Sequence, residues 1–568
     1  MALVEINRWL YELRNKLMES KHEGYVNKEI LKDYNKKRNH CSNVMSLHHK
    51  HQNGQNVTEQ STINELYKVV NNILYPRVTV RKMILKSGET MIDNPLEVAE
   101  AFNMWFKEKI EILVKKINKT TSQSPFEKLK KHLAGKKLNF ALSPVDVKDV
   151  LKVLSELKPK TSYGLDGISS EIMKMCKEEM AGPITLIVNR SICSGKFPDQ
   201  WKIAKVAPLL KKGDPTLKEN YRPVALLCVA AMVLEKIVAV QIEAFFEHNN
   251  LLGEFQFGFR RHRSTVVELL NLFETIQEAK EQDKKVALIL YDLSAAFDTV
   301  EPEVLIEKLK LYGFDSNSRQ WMKSYLTGRS QVTTVGGKQS TPVSLNYGTP
   351  QGSRLSPLLF IIIMADLGLW TEDSKLSQFA DDTQTIIVQD SEEELRASTI
   401  RETEAVVGHF TANNLVNNKD KAALLYNSKG QSENISLEVA GEQIQSKSDE
   451  KLLGLQVSSN MNWKTHIETL QKKLSQRLGL IRRLKNKVPG SKLQIFAESF
   501  FTSVARYGIA VYYRPRLHSD PTCEDQTKLQ VIQNKMFRLL AGKKPADKVK
   551  VEELAKKFGI MSMNQMAC

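Results

Sequence analysis

Apolar and polar positions divide the chain into three stretches. From residue 1 to about 120, apolar residues recur at helical spacing. Ile6, Trp9, Leu10, Leu13 and Leu17 form one stripe, and Val98, Phe102, Phe106 and Ile110 form another. Such a recurrence predicts amphipathic helices. Between them, residues 78–80 and 83–88 read as a small hairpin, and residues 120–125 (TTSQSP) as a linker. The middle stretch mixes both periods. A helix marked by Val147, Val150, Leu151, Leu154 and Leu157 ends in a basic, glycine-containing loop at residues 158–167. Residues 204–210 and 220–224 read as the arms of a hairpin around a charged turn. Beyond Lys464 the pattern is helical again, with Leu470, Leu474, Leu478 and Ile481 on one stripe that reads as packing.

Two strands in the middle stretch break the expected pattern. Residues 285–291 (KVALILY) are almost continuously apolar, yet the next residue is Asp292. A buried strand carries an acid at its end only when something there uses it. Residues 377–388 (SQFADDTQTIIV) read as two short antiparallel strands joined by a tight turn that holds Asp381 and Asp382. Adjacent carboxylates repel and raise one another's pKa unless a cation balances them. Mg²⁺ suits such a site, since it takes a few carboxylates together with substrate phosphates. Alone, an Asp-Asp pair in a loop is far more often a solvated turn; Asp292 supplies the third carboxylate. Asp298, six residues later, is read as a turn or helix cap.

Charge narrows the partner. Against 82 Lys+Arg the chain sets 65 Asp+Glu, a formal +17 with a pI near 9.3. That balance favours a polyanion, nucleic acid first and an anionic membrane surface second. No apolar run is long enough to span a membrane, and none of the six cysteines forms a C-x-x-C pair. A reducing, intracellular compartment (cytoplasm or nucleus) without structural zinc is expected. The cluster His40, Cys41, His48, His49 and His51 has irregular spacing and reads as a solvated loop. Lys211, Lys212 and Arg222 at the hairpin end could clamp a triphosphate, or form a plain basic hairpin. Residues 256–265 (QFGFRRHRST) suit stacking on a single strand, or a helix lead-in. Gln351 and Gly352 sit in a glycine-bounded loop, 347–360, feeding a buried helix. From Lys464 to Gln494 nine Lys/Arg face one Glu, a cationic face that could track a phosphate backbone.

Together these blocks resemble the reverse transcriptases of non-LTR (LINE-like) retrotransposons, from about Leu142 to Trp463 with a weaker continuation. Residues 292–298 (DLSAAFD), 349–360 (TPQGSRLSPLLF) and 379–382 (FADD) are the most specific blocks, with 220–224 (NYRPV) and 256–260 (QFGFR) as finger motifs. The resemblance implies an α+β right-hand polymerase: fingers, palm and thumb, with a mixed or antiparallel palm sheet flanked by helices and a helical N-terminal region. It assigns 1–125 to a basic spacer, 140–463 to fingers and palm, and 464–568 to a helical basic thumb and extension. Asp292, Asp381 and Asp382 would be catalytic and hold two Mg²⁺ (or Mn²⁺) with the Leu293 carbonyl. Phe297 would be the gate against a ribose 2′-hydroxyl. Gln351 and Gly352 would sit beside the incoming nucleotide, Lys211 and Arg222 on its phosphates. Lys421, in a block where Asn417 replaces the usual apolar residue, would protonate pyrophosphate. Residues 451–455 resemble the primer grip. Arg260, Lys472, Lys473, Arg477, Arg482 and Arg483 would contact nucleic acid. The expected partners are an RNA template, a DNA primer or target, and dNTPs, without a membrane. A catalytically impaired binding remnant is the alternative; a viral RNA polymerase is disfavoured because Phe-Ala stands where Gly precedes Asp-Asp. No endonuclease motif is recognised, so a partial reading frame is expected.

Overall fold

The computed structural model describes residues 83–568 except 89, 117–122, 419–420, 428–434, 440–441, 461, 514–522, 548 and 568, together with residues 62, 65 and 67. The first expected helix, the histidine cluster, residues 78–80 and the start of the linker lie outside the described residues. The chain divides into two compact units, one spanning Arg81–Trp463 and one containing Lys464–Cys568.

The larger unit opens with a hairpin, β1 (Leu85–Ser87) and β2 (Thr90–Ile92). It lies further along than expected, and Gly88, at φ +61°, stands at its turn. Helix α1 (Pro95–Lys115) follows; Asn94 caps it by accepting the Leu96 N–H, and Val98, Phe102 and Phe106 are buried. Next come α2 (Val147–Ser155), α3 (Lys177–Ser194), β3 (Ile203–Leu210) and β4 (Tyr221–Leu226). Helices α4 (Val229–His248) and α5 (Thr265–Glu281) lead to β5 (Lys285–Tyr291). A short α6 (Ala296–Thr299), then α7 (Pro302–Leu311) and α8 (Ser316–Leu326), precede β6 (Arg329–Val335), β7 (Lys338–Gln339) and β8 (Val343–Leu345). Helix α9 (Ser356–Met364) enters β9 (Ser374–Phe379) and β10 (Asp382–Gln389), followed by α10 (Glu392–Ala412) and β11 (Ala423–Asn427). Two further hairpins complete the unit: β12 (Ser436–Val439) with β13 (Glu442–Gln445), and β14 (Asp449–Leu452) with β15 (Leu455–Ser458).

These strands build two main sheets, so the expected α+β class is observed. One runs β4-β3-β6-β7, with β8 also on β6, and is parallel only between β3 and β6. The other runs β11-β5-β10-β9 and is antiparallel throughout. Val286 to Ile289 of β5 are all buried although successive side chains point to opposite faces, so both faces of this central strand are covered. Its neighbour β10 buries Thr383, Gln384 and Thr385. Buried hydroxyls need partners: Gln378 Nε2 donates to Thr383 Oγ1 at 3.0 Å, and Thr385 Oγ1 meets the Tyr291 hydroxyl at 3.2 Å. The core also closes over charge. Lys308 donates to Asp366 at 2.7 Å and to the Ile363 carbonyl at 2.8 Å, while His409 meets the same Asp366 oxygen at 2.9 Å, all three being buried.

The smaller unit is helical where described: α11 (Lys464–Leu484), α12 (Gly490–Ala497), α13 (Cys523–Ala541) and α14 (Val551–Phe558). Leu470, Leu474, Leu478 and Ile481 are buried, which makes the stripe on α11 a packing face. Among the described residues no helix is long and apolar enough to cross a membrane.

Candidate active site

The β9–β10 turn places Asp381 and Asp382 at the tip of the antiparallel sheet. Phe379 pairs with Asp382, which leaves Ala380 and Asp381 as the two turn residues. Ala380 adopts φ +62°, a left-handed conformation that costs a non-glycine residue roughly 1–2 kcal/mol. A buried amide supports it. Gln256 Oε1 accepts from the Ala380 N–H at 3.1 Å and the Gly258 N–H at 2.8 Å, and Gln256 Nε2 reaches Gln378 Oε1 at 3.3 Å. The segment itself bonds to β9 through Phe257 N–H to Gln378 carbonyl (2.7 Å) and Gln378 N–H to Phe255 carbonyl (2.9 Å). Gly258 is required here: a Cβ would stand 2.3 Å from the Ala380 nitrogen. Residues 255–258 are thus a strap on the acidic turn; Phe257 within it is buried, and Phe259, the next phenylalanine along, is exposed.

Asp292 arrives at the end of the adjacent strand, one step beyond the Tyr291–Thr383 pair. The chain after α10 brackets it. Asn418 N–H donates to the Asp292 carbonyl at 2.7 Å, Asn418 Nδ2 to its carboxylate at 3.0 Å, and Lys421 Nζ to the same Oδ2 at 2.8 Å. Leu293 is buried and bridges to Asn417, the polar residue in that block. Asp292, Asp382 and Lys421 line one cleft of about 270 Å³, with Lys451, Leu452 and Leu453 from the β14–β15 turn on its rim. Burial, and then the charges of Asp381 and Asp292, push Asp382 up to about 6 against the pull of Lys421. Asp381 is likewise raised, by burial first and by Asp292, while its own backbone N–H and Lys421 oppose the shift. Beneath β9, Ser377 donates to the buried Glu268 at 2.9 Å; burial, and the Asp382 charge, push Glu268 up to about 8.

Phe297 follows Asp292 by five residues. Phe297 is half-buried in α6, its ring 4.8 Å from Phe360 and 6.4 Å from Phe259 between centroids. Asp298 is no cap; that position belongs to Ala295. Its carboxylate instead receives Gln351 Nε2 on both oxygens, at 2.7 and 2.8 Å. Gly352 touches β4, since a Cβ there would stand 3.1 Å from the Ala225 carbonyl. Lys211 and Arg222 are both exposed at the turn end of the β3–β4 hairpin, where Lys211 N–H bonds the Asn220 carbonyl and Arg222 pairs with Leu209.

Two expected nucleic-acid contacts are turned inward. Arg260 is 9% exposed, forks onto Glu247 at 2.6 and 2.8 Å and donates to the Gly253 carbonyl, which leaves it no face for a phosphate. Arg477 donates to the Phe500 carbonyl and stacks 4.3 Å over the Phe500 ring, so it belongs to helix packing. Lys472, Lys473, Arg482 and Arg483 remain exposed on α11. Gln256, Glu268 and Asn418 were not singled out in the sequence: each acts through a partner about 110 to 126 residues away, and Glu268 sat outside any recognised block.

Mg²⁺ is a hard cation that takes one or two carboxylates plus substrate phosphates, and the all-oxygen, mutually repelling set Asp292, Asp381 and Asp382 fits it. Among the described residues no group of three or more ligating side chains is closed around a cation position; the Lys421 ammonium sits on Asp292 instead.

Residues 209–457 match the family model described as reverse transcriptase (RNA-dependent DNA polymerase). The chain is 30% identical over 231 residues to the probable RNA-directed DNA polymerase from transposon BS of Drosophila melanogaster, covering 40% of this chain and 25% of that protein. It is 26% identical over 445 residues to the RNA-directed DNA polymerase from mobile element jockey of Drosophila funebris, covering 73% and 47%. The jockey polymerase of Drosophila melanogaster is 25% identical over 421 residues, covering 71% and 45%. The chain spans between a quarter and a half of the length of these relatives. Residues 209–457 are thus similar to a reverse transcriptase domain, and the relatives that the chain resembles are RNA-directed DNA polymerases from mobile elements.

Proposed function

We propose that this chain extends a DNA 3′ end on an RNA template, as an RNA-directed DNA polymerase. One observation carries the reading: Asp292 and the Asp381–Asp382 turn lie at the same end of two adjacent strands, and Asp292 and Asp382 open on one cleft that Lys421 and Lys451 also line. In this reading residues 1–125 are a spacer, 140–463 the fingers and palm, and 464–568 the thumb. Asp292, Asp381, Asp382 and the Leu293 carbonyl would hold two Mg²⁺, or Mn²⁺, which when bound supply a more acidic 3′-hydroxyl and neutralise charge on the leaving pyrophosphate.

The chain's own residues do the rest. Lys421 holds a proton 2.8 Å from Asp292 on an exposed side chain, and reaches from there to protonate the leaving group. The strap through Gln256 keeps the acidic turn in its strained conformation before substrate arrives. Phe297, backed by Phe360, presents a rigid ring where a ribose 2′-hydroxyl would fall. Lys211 and Arg222 meet the triphosphate, and Gln351 and Gly352 lie beside the nucleotide. Lys472, Lys473, Arg482 and Arg483 follow the duplex backbone.

The test is DNA-primed extension on an RNA homopolymer with the complementary dNTP. Mg²⁺-dependent incorporation is expected, and its absence in folded protein overturns the reading. Phe297→Ala should raise ribonucleotide use roughly tenfold, the scale of one lost steric contact in a pocket; unchanged discrimination removes the gate role.

A further inference from the structure

The bidentate contact between Gln351 and Asp298 fixes which end of the Gln351 amide the nucleotide meets. An ionised carboxylate only accepts hydrogen bonds. Both Asp298 oxygens take Gln351 Nε2, at 2.7 and 2.8 Å, so the amide nitrogen is committed to Asp298 and the oxygen Oε1 is left for another donor. The loop and the gate helix are also tied through their backbones. Thr349 N–H donates to the Phe297 carbonyl at 2.8 Å, and Gly348 N–H to the Val300 carbonyl at 2.7 Å. Gly348, at φ +79°, lies so close that a Cβ would meet the Asp298 carbonyl at 2.6 Å. From the other side the buried Arg329 donates to the Tyr347 and Gly348 carbonyls at 2.6 and 2.5 Å. Arg329, Asp298 and Gln351 line one cavity of about 80 Å³ between α1, β4 and the 347–351 loop, with Lys109 on its wall. Burial raises the Asp298 carboxyl, while Gln351, Lys109 and Arg329 favour its ionised form.

We infer that Asp298 is a positioning residue: it locks the Gln351 amide so that the incoming nucleotide meets a hydrogen-bond acceptor, and it couples that acceptor to the Phe297 gate as one unit. The inference rests on the reading that Gln351 lies beside the nucleotide. The group it recognises on the nucleotide is a donor, a sugar hydroxyl or a base amino group.

Asp298→Asn tests this, because an asparagine offers both an N–H and an oxygen and lets the Gln351 amide turn over. Steady-state single-nucleotide incorporation should show the KM for dNTP rising several-fold with kcat within about twofold. Gln351→Leu should raise KM at least as much, and Asp298→Asn added to Gln351→Leu should raise it no further. Gln351→Asn leaves Asp298 intact but withdraws the amide by one methylene, and should reproduce the KM rise without lowering the melting temperature. If Gln351→Leu leaves KM unchanged, the nucleotide-side placement of Gln351 fails. If Gln351→Leu raises KM while both Asp298→Asn and Gln351→Asn behave as wild type, the orienting role fails and the placement stands. A fall in kcat and melting temperature with KM unchanged reduces Asp298 to a structural residue and overturns the inference.

Discussion

Two carboxylate clusters in the same unit handle charge in opposite ways. Around Asp366, burial pushes the carboxyl up, but Lys308 and His409 more than offset it and hold it below the usual value. All three side chains are buried, with Lys308 and His409 both bonded to Asp366. Around Asp381 and Asp382, burial and mutual repulsion win, and both carboxyls lie above the usual value with one lysine opposing. The first cluster is complete within the fold. The second keeps an excess of negative charge, which the proposed divalent cations would neutralise. The difference separates a structural ion pair from a working site more clearly than burial does, since both clusters are partly or wholly buried.

Breaking the open cluster should have the largest effect. Asp381→Ala removes a proposed ligand worth several kcal/mol of charge stabilisation, so primer extension should fall about a thousandfold. The melting temperature of the metal-free protein should hold or rise, because a repulsive charge is gone. Breaking the closed cluster should do the reverse. Lys308→Met leaves Asp366 buried without its cation, a change that costs about 3–5 kcal/mol. Denaturant unfolding should show that loss; loss of activity without loss of stability would contradict the assignment.

The pH response sharpens the contrast. Asp382 is raised from 3.8 to about 6 in the folded chain, so the folded state binds the extra proton and is favoured at low pH. Without divalent ions, stability from this group is fully present below about 4 and is lost as pH rises through about 6. Protons and Mg²⁺ then compete, and the Mg²⁺ concentration for half-maximal extension should rise several-fold between pH 7.5 and 5.5. A flat requirement across that range would show that Asp382 holds no metal. The smallest effect belongs to the helical unit: Lys472→Ala and Lys473→Ala should each reduce the slope of log affinity against log salt by about 1. Arg477→Ala, by contrast, should cost stability and leave the salt slope alone.

Legibility in the sequence followed the range of the interaction. The ends of β5 and the β9–β10 turn were readable because local alternation marks both strands, and an acid at the end of an apolar strand is an anomaly visible within eight residues. The packing stripe of α11 was readable for the same reason. Asp298 was misread because its immediate neighbours form a helical turn, while its partner Gln351 lies 53 residues on. Arg260 was misread because a cation beside aromatics looks the same whether it faces solvent or Glu247, 13 residues earlier across a helix end. Lys308 gave no signal at all: a lysine on an amphipathic helix looks solvated until Asp366 arrives from 58 residues away.

The order β11-β5-β10-β9 has a consequence for how the protein is made. β5 ends at residue 291, its antiparallel neighbour β10 at 389, and the β11 segment that follows Lys421 closes against β5 only after residue 427. At ribosomal speeds of 5–20 residues per second, roughly 7 to 30 seconds separate the first strand from the last. A nascent chain halted before residue 421 would carry its three aspartates without the lysine that meets Asp292 in the finished fold.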